Sequence, residues 1–216
     1  MTVRTLTARG KSVGTLLRLR LSLAVAASSL AGFVCCANPV DSRALFAAVG
    51  VFLLSCSASA LNQYQERESD ALMERTRRRP LPMRQIRARA VLAIATGTCL
   101  AGTATLFFFA APLAAGLGVI AAGWYNAVYT PLKRTTRFAV LAGAVSGSLP
   151  PLIGCAAAGG PLSESCIVFS LLMYLWQMLH CAALQARYRE DYERAGIPLI
   201  CSCASRTCRP IRLRSR

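Results

Sequence analysis

The stretch that decides the fold is Asn62–Pro82, NQYQERESDALMERTRRRPLP, which lies between two apolar runs each long enough to cross a bilayer. Asn62, Glu66 and Asp70 recur at i, i+4 and i+8, so on a helix they form one polar stripe. Two carboxylates and an amide on one stripe make an oxygen-rich face suited to a hard cation such as Mg²⁺. Arg75, Arg77, Arg78 and Arg79 follow directly, a cluster matched to phosphate oxygens. A cation site and arginines between membrane spans point to a diphosphate with a lipid tail. The alternative is a solvated loop whose acids and arginines neutralise one another.

Working outward, the chain has 216 residues, of which 55% are hydrophobic and 16% charged. That balance predicts an all-α, polytopic transmembrane helical bundle. Six spans are expected at about 21–38, 44–62, 88–109, 111–130, 138–158 and 165–185, each near the ~20 residues that a bilayer core requires. The third and fourth share one apolar stretch, in which Ala111-Pro112 marks a tight hairpin. Pro150-Pro151 is expected to break or kink the fifth.

The formal net charge of +16 is explained by topology and not by nucleic acid, since the arginines sit between apolar segments without aromatic interleaving. Basic residues crowd the N-terminus, the second loop, the fourth loop (Lys133, Arg134, Arg137) and the segment after span six (Arg187, Arg189, Arg194). They are sparse or absent in the odd-numbered loops. This alternation places the N-terminus and every chemistry-bearing segment in the cytoplasm. No convincing cleavage site follows the first apolar run, so residues 1–20 read as a cytoplasmic N-terminus rather than a signal peptide.

The chain contains ten cysteines. Cys56, Cys99, Cys155, Cys166 and Cys181 lie in apolar segments, and Cys35-Cys36 sits at a helix end. This placement argues against a disulfide scaffold, and the apolar ones read as small hydrophobes. Cys201, Cys203 and Cys208 lack the fourth ligand and the spacing of a zinc site.

The string Asn62-x-Tyr64-x-Glu66-Arg67-x-x-Asp70-x-x-Met73-x-Arg75-Thr76-x-x-Arg79-Pro80-Leu81-Pro82 resembles the signature of the protoheme IX farnesyltransferases (haem O synthases), within the UbiA-type intramembrane prenyltransferases. Three further segments carry the same likeness. Tyr129-Thr130-Pro131-Leu132-Lys133-Arg134 is one position shorter than the family's segment, and Gly143 to Gly154 follows it. Trp176-Gln177-Met178-Leu179-His180-Cys181 has Leu179 where the family has proline and Cys181 where it has an aromatic. Arg187 to Pro198 resembles the second acidic segment, although the wider superfamily's D-x-x-x-D pattern is absent.

The resemblance implies a Mg²⁺-dependent transfer of a farnesyl group from farnesyl diphosphate to a vinyl of haem B. By that likeness Asn62, Glu66, Asp70 and Asp191 are the catalytic and metal-directed residues. Arg67, Arg75, Arg79, Lys133, Arg134 and Arg189 contact the diphosphate, while Trp176, Gln177 and His180 face the acceptor. His180, the single histidine, has an interfacial role as its alternative. The expected setting is the plasma membrane of a bacterium. A quinone or chlorophyll precursor is the alternative acceptor, and a small membrane transporter the alternative class.

The expected domains are a basic N-terminus (1–20), a prenyltransferase domain (21–200) and a basic tail (201–216). The resemblance stops near residue 200, short of the family's further spans. A frameshifted or shortened product with little or no activity is therefore expected.

Overall fold

The computed structural model describes residues 10, 12–37, 39–159 and 163–199. The cysteine-containing tail and most of the basic N-terminus lie outside the described residues. Helices α1 (Leu19–Cys36), α2 (Arg43–Gln65), α4 (Ala88–Phe109), α7 (Ala139–Ala158) and α8 (Glu164–Arg187) are long and apolar enough to cross a membrane. Short helices α3 (Arg67–Leu72) and α9 (Arg189–Arg194) follow α2 and α8 at one end of the bundle.

The fourth span departs from the single α-helix expected. α5 (Pro112–Gly123) starts on a proline, as the predicted hairpin requires. It then passes into a π-helical stretch, Trp124–Tyr129, and continues as α6 (Thr130–Thr135). Side chains add to the main-chain bonds of this stretch: Tyr125 O accepts from both the N–H and the hydroxyl of Thr130, the latter at 2.8 Å, and Gln65 Nε2 donates to Asn126 O at 3.3 Å. Such π insertions recur at functional sites, and this one faces the cavity described below.

Two expectations are corrected. Of the break or kink expected at Pro150-Pro151, the break is absent, since one helix runs from Ala139 to Ala158. The structure also contains a disulfide, Cys36–Cys155, across 119 residues with Cα atoms 5.4 Å apart. Its physical reason is the α1–α7 contact. Gly32 lies against the Pro151 backbone and Gly154 against the Ser29 carbonyl, where any Cβ would overlap the neighbouring main chain. Small residues let the two backbones meet, and that brings the helix ends within disulfide reach.

The apolar core has two parts. Phe33, Val51, Leu54, Leu106 and Ile153 are packed toward the disulfide end, and Leu16, Ala60, Leu81, Val91 and Ala95 toward the other. Gln63 joins the second part to the N-terminal segment, donating to Leu16 O at 2.7 Å.

Candidate active site

The polar stripe survives a break in its helix. α2 ends at Gln65, and Glu66 adopts φ −96°, ψ 6° before α3 begins. The main-chain bonds from Glu66 N to Asn62 O (2.9 Å) and from Asp70 N to Glu66 O (2.8 Å) carry the helical register through. Asn62, Glu66 and Asp70 therefore stay on one side, and all three are buried.

They line a cavity of about 350 Å³ together with Arg18, Arg75, Arg79, Tyr125, Tyr129, Lys133, Gln177, His180 and Tyr192. Lys133 Nζ lies 2.6 Å from Glu66 Oε1, and Arg79 donates to Asp70 Oδ2 at 2.6 Å. Glu66 Oε1 is buried with the Lys133 ammonium as its one close partner among the described residues. Two buried carboxylates, Glu66 and Asp70, beside the Asn62 amide make the hard-oxygen environment that a divalent cation fits. Asn62 is held in place by donating to Thr130 Oγ1 at 3.1 Å.

Four cations, Arg18, Arg75, Arg79 and Lys133, face two carboxylates in this lining. The excess of positive charge suits a polyanion such as a diphosphate. Burial, and after it the charge of Arg18, push the Arg79 guanidinium below its ordinary value, while Asp70 pulls the other way.

A second, apolar cavity of about 150 Å³ shares Tyr125, Ser146 and Gln177 with this region and runs between α1, α2, α5 and α7. Its walls include Leu21, Val25, Leu54, Gly118, Pro150 and Ile153. The site thus has a charged mouth and an apolar arm, as an amphiphile requires.

Several expected residues lie elsewhere. Asp191 is outside the cavity lining: its Oδ1 accepts from Glu74 N at 2.9 Å and its Oδ2 from Arg75 N at 3.0 Å. Both oxygens thus accept from main-chain N–H groups of the arginine segment. Arg67 donates to Tyr64 O and pairs with Glu68, while Arg134 donates to Gln65 O at 2.6 Å. Arg189 pairs with Glu193. Trp176 is exposed and stacks on His180 with ring centroids 5.0 Å apart, so of the aromatic pair only His180 reaches the lining.

Sequence reasoning missed Arg18, Tyr125 and Tyr192 as lining residues. Arg18 carries one local signal in the structure, a left-handed backbone (φ 48°) at the N-cap of α1. A non-glycine residue held there is strained, and such strain clusters at functional sites. Tyr125 and Tyr129 stand four residues apart with ring centroids 5.4 Å apart.

The model of the UbiA prenyltransferase family matches residues 12–209. The chain belongs to this family. Among its relatives is the protoheme IX farnesyltransferase of Geobacter sulfurreducens, 43% identical over 193 residues that cover 88% of this chain and 71% of the relative. Another is the protoheme IX farnesyltransferase of Solibacter usitatus, 39% identical, covering 73% of this chain and 54% of that one. The chain thus spans about half to seven-tenths of the length of these two relatives. The fold of the family is shared with a UbiA homolog from Archaeoglobus fulgidus bound to DMAPP and Mg²⁺, with a TM-score of 0.73 at 16% identity over 86% of this chain and 67% of that one. Family membership and the apolar helices make the chain an integral membrane protein.

Proposed function

We propose that this UbiA-family chain is a haem O synthase-type prenyltransferase, transferring a farnesyl group from farnesyl diphosphate to a vinyl carbon of haem B, with diphosphate leaving and water adding at the adjacent carbon to give the hydroxyethylfarnesyl side chain. The observation that carries the reading is the two-part cavity. Buried Asn62, Glu66 and Asp70 stand beside Arg18, Arg75, Arg79 and Lys133 at the mouth, and an apolar arm leads away. The choice of acceptor rests on the relatives, which are named protoheme IX farnesyltransferases.

Asn62, Glu66 and Asp70 would hold Mg²⁺, and the cation would supply Lewis-acid neutralisation of the diphosphate. Arg75, Arg79 and Lys133 orient the diphosphate and offset the charge that grows on it as the allylic C–O bond breaks. The apolar arm takes the isoprenoid tail and keeps water from the allylic carbon. His180, with Gln177 beside the mouth, is the acceptor-side group.

Asp191 acts at one remove. By fixing the amides of Glu74 and Arg75 it positions the arginine segment over the cavity. Arg67, Arg134 and Arg189 support the surrounding loops through their main-chain and carboxylate partners.

The test is turnover of the purified chain with farnesyl diphosphate, haem B and Mg²⁺, with the haems analysed by mass. The reading expects haem O, absent when the cation is chelated. Transfer of the prenyl group to a quinone precursor and not to haem B would overturn the acceptor.

A further inference from the structure

At the opposite end of the bundle from the charged cavity, three sulfurs converge. Cys36 closes α1, Cys155 lies in the last turn of α7, and Cys166 sits in the first turn of α8. Their Sγ atoms all lie within 4.8 Å of one another, and Cys36–Cys155 is already a disulfide. Cys36 is half-buried while Cys155 and Cys166 are buried. Ser163 knits the group together: its hydroxyl lies 3.3 Å from Cys36 Sγ, donates to Cys35 O at 3.1 Å and caps α8 by accepting from Cys166 N. Cys166 Sγ itself points at Pro151 O, 3.6 Å away, next to the α1–α7 contact.

We propose that Cys36, Cys155 and Cys166 form a thiol–disulfide exchange site that locks α1 to α7, with Cys36 as the entry sulfur and Cys166 as a second resolving thiol. The geometry argues for each role. A disulfide reagent from solvent meets Cys36, like the exposed Cys35 beside it, before the two buried sulfurs, and Cys36 is the one of the pair whose Sγ lies within 4.8 Å of both. The Cys36 thiolate attacks one sulfur of an external disulfide, giving a mixed disulfide and releasing one thiol. The Cys155 thiolate then attacks the Cys36 sulfur and expels the second thiol. Two electrons pass to the external disulfide, the two cysteine protons end on the two released thiols, and the Cys36–Cys155 bond forms. With Cys166 inside the same radius, its thiolate can replace Cys155 in the second step, with no further redox change. The charge pattern of the loops puts this end outside the cytoplasm, on the side where disulfides persist.

The lock matters because the two helices it joins supply adjoining walls of the apolar arm, Leu21 and Val25 from α1 and Pro150 and Ile153 from α7. Fixing their far ends fixes the separation of those walls.

The readout is chemical and independent of prenyl transfer. The full chain is purified in detergent, reduced, freed of reductant and exposed to oxidised glutathione. It is then quenched in acid, alkylated and mapped by peptide mass. Wild type is expected to accumulate a Cys36–Cys155 link and to melt at a higher temperature than the reduced protein. Cys155→Ser is expected to give a Cys36–Cys166 link instead, and Cys36→Ser to slow linkage of Cys155 to Cys166 at least tenfold. Wild type in which Cys36 and Cys155 both remain alkylated thiols would overturn the site. Cys155→Ser that keeps glutathione on Cys36 while Cys166 is alkylated would overturn the resolving role, and rapid Cys155–Cys166 linkage without Cys36 would overturn the entry role.

Discussion

Glu66 and Asp70 are nearly sealed from solvent, with side chains 4% exposed, and each faces one cation that is only slightly more open. Pairs in that position hold charge in place at a desolvation cost, and removing one partner strands the other. Asp70→Asn and Glu66→Gln keep shape and lose charge, so each is expected to lower Mg²⁺-dependent turnover by about 10²-fold or more. Normal membrane insertion with unchanged turnover would remove these residues from the chemistry. Arg18 permits a sharper separation, because its left-handed backbone costs about 1 kcal/mol that glycine does not incur. Arg18→Gly is therefore expected to match or exceed wild type in thermal stability while KM for the prenyl diphosphate rises about tenfold. A stable variant with unaltered KM would make Arg18 a structural cap only. Arg18 was hidden in the sequence because a basic N-terminus reads first as a topology signal, and nothing local marks which arginine turns inward.

At the scale of elements, the stripe was legible because a period of four survives the interruption at Glu66, where main-chain bonds keep helical register. The main-chain partners of Asp191 were not legible. Its partners are the amides of Glu74 and Arg75, 117 and 116 residues away, and main-chain donors leave no mark on sequence. The same contact joins α9 to the arginine segment, reinforced by Arg75 lying over the Tyr188 ring at 5.0 Å. The amides of Arg75 and Glu74 hold the Asp191 carboxyl below its ordinary value, about 3.9 for an unfolded aspartate. A depressed carboxylate stabilises fully above the unfolded value, and that contribution is lost as pH falls through the folded one. The segment 74–79 is therefore expected to resist trypsin at pH 7 and to loosen as the pH drops below about 4. Asp191→Asn should be cut readily at pH 7. Equal cleavage of the two proteins at neutral pH would detach Asp191 from loop positioning.

For the whole molecule, the apolar lengths and the hairpin at Ala111-Pro112 announced the helices, whereas the π-helical stretch and the disulfide did not. A π turn changes no hydrophobic period, and a cysteine in an apolar run looks like any small hydrophobe until its partner helix is placed. The orientation drawn from the loops predicts that a reporter fused after Leu199 behaves as cytoplasmic, on the side of the charged cavity. A signal from the opposite side would invert the molecule and place the sulfurs in the reducing compartment. The Asp191 clasp has one more consequence, and it concerns time. The arginine segment leaves the ribosome well over a hundred residues before the carboxylate that seats it. At ordinary elongation rates of about 5–20 residues per second, that interval is roughly 6–23 s. For that period the segment has only its local partners, Asp70 for Arg79 and Glu74 for Arg77. The charged cavity is thus among the last parts of the molecule to be completed, although the lining residues from Arg18 to Arg79 are made early.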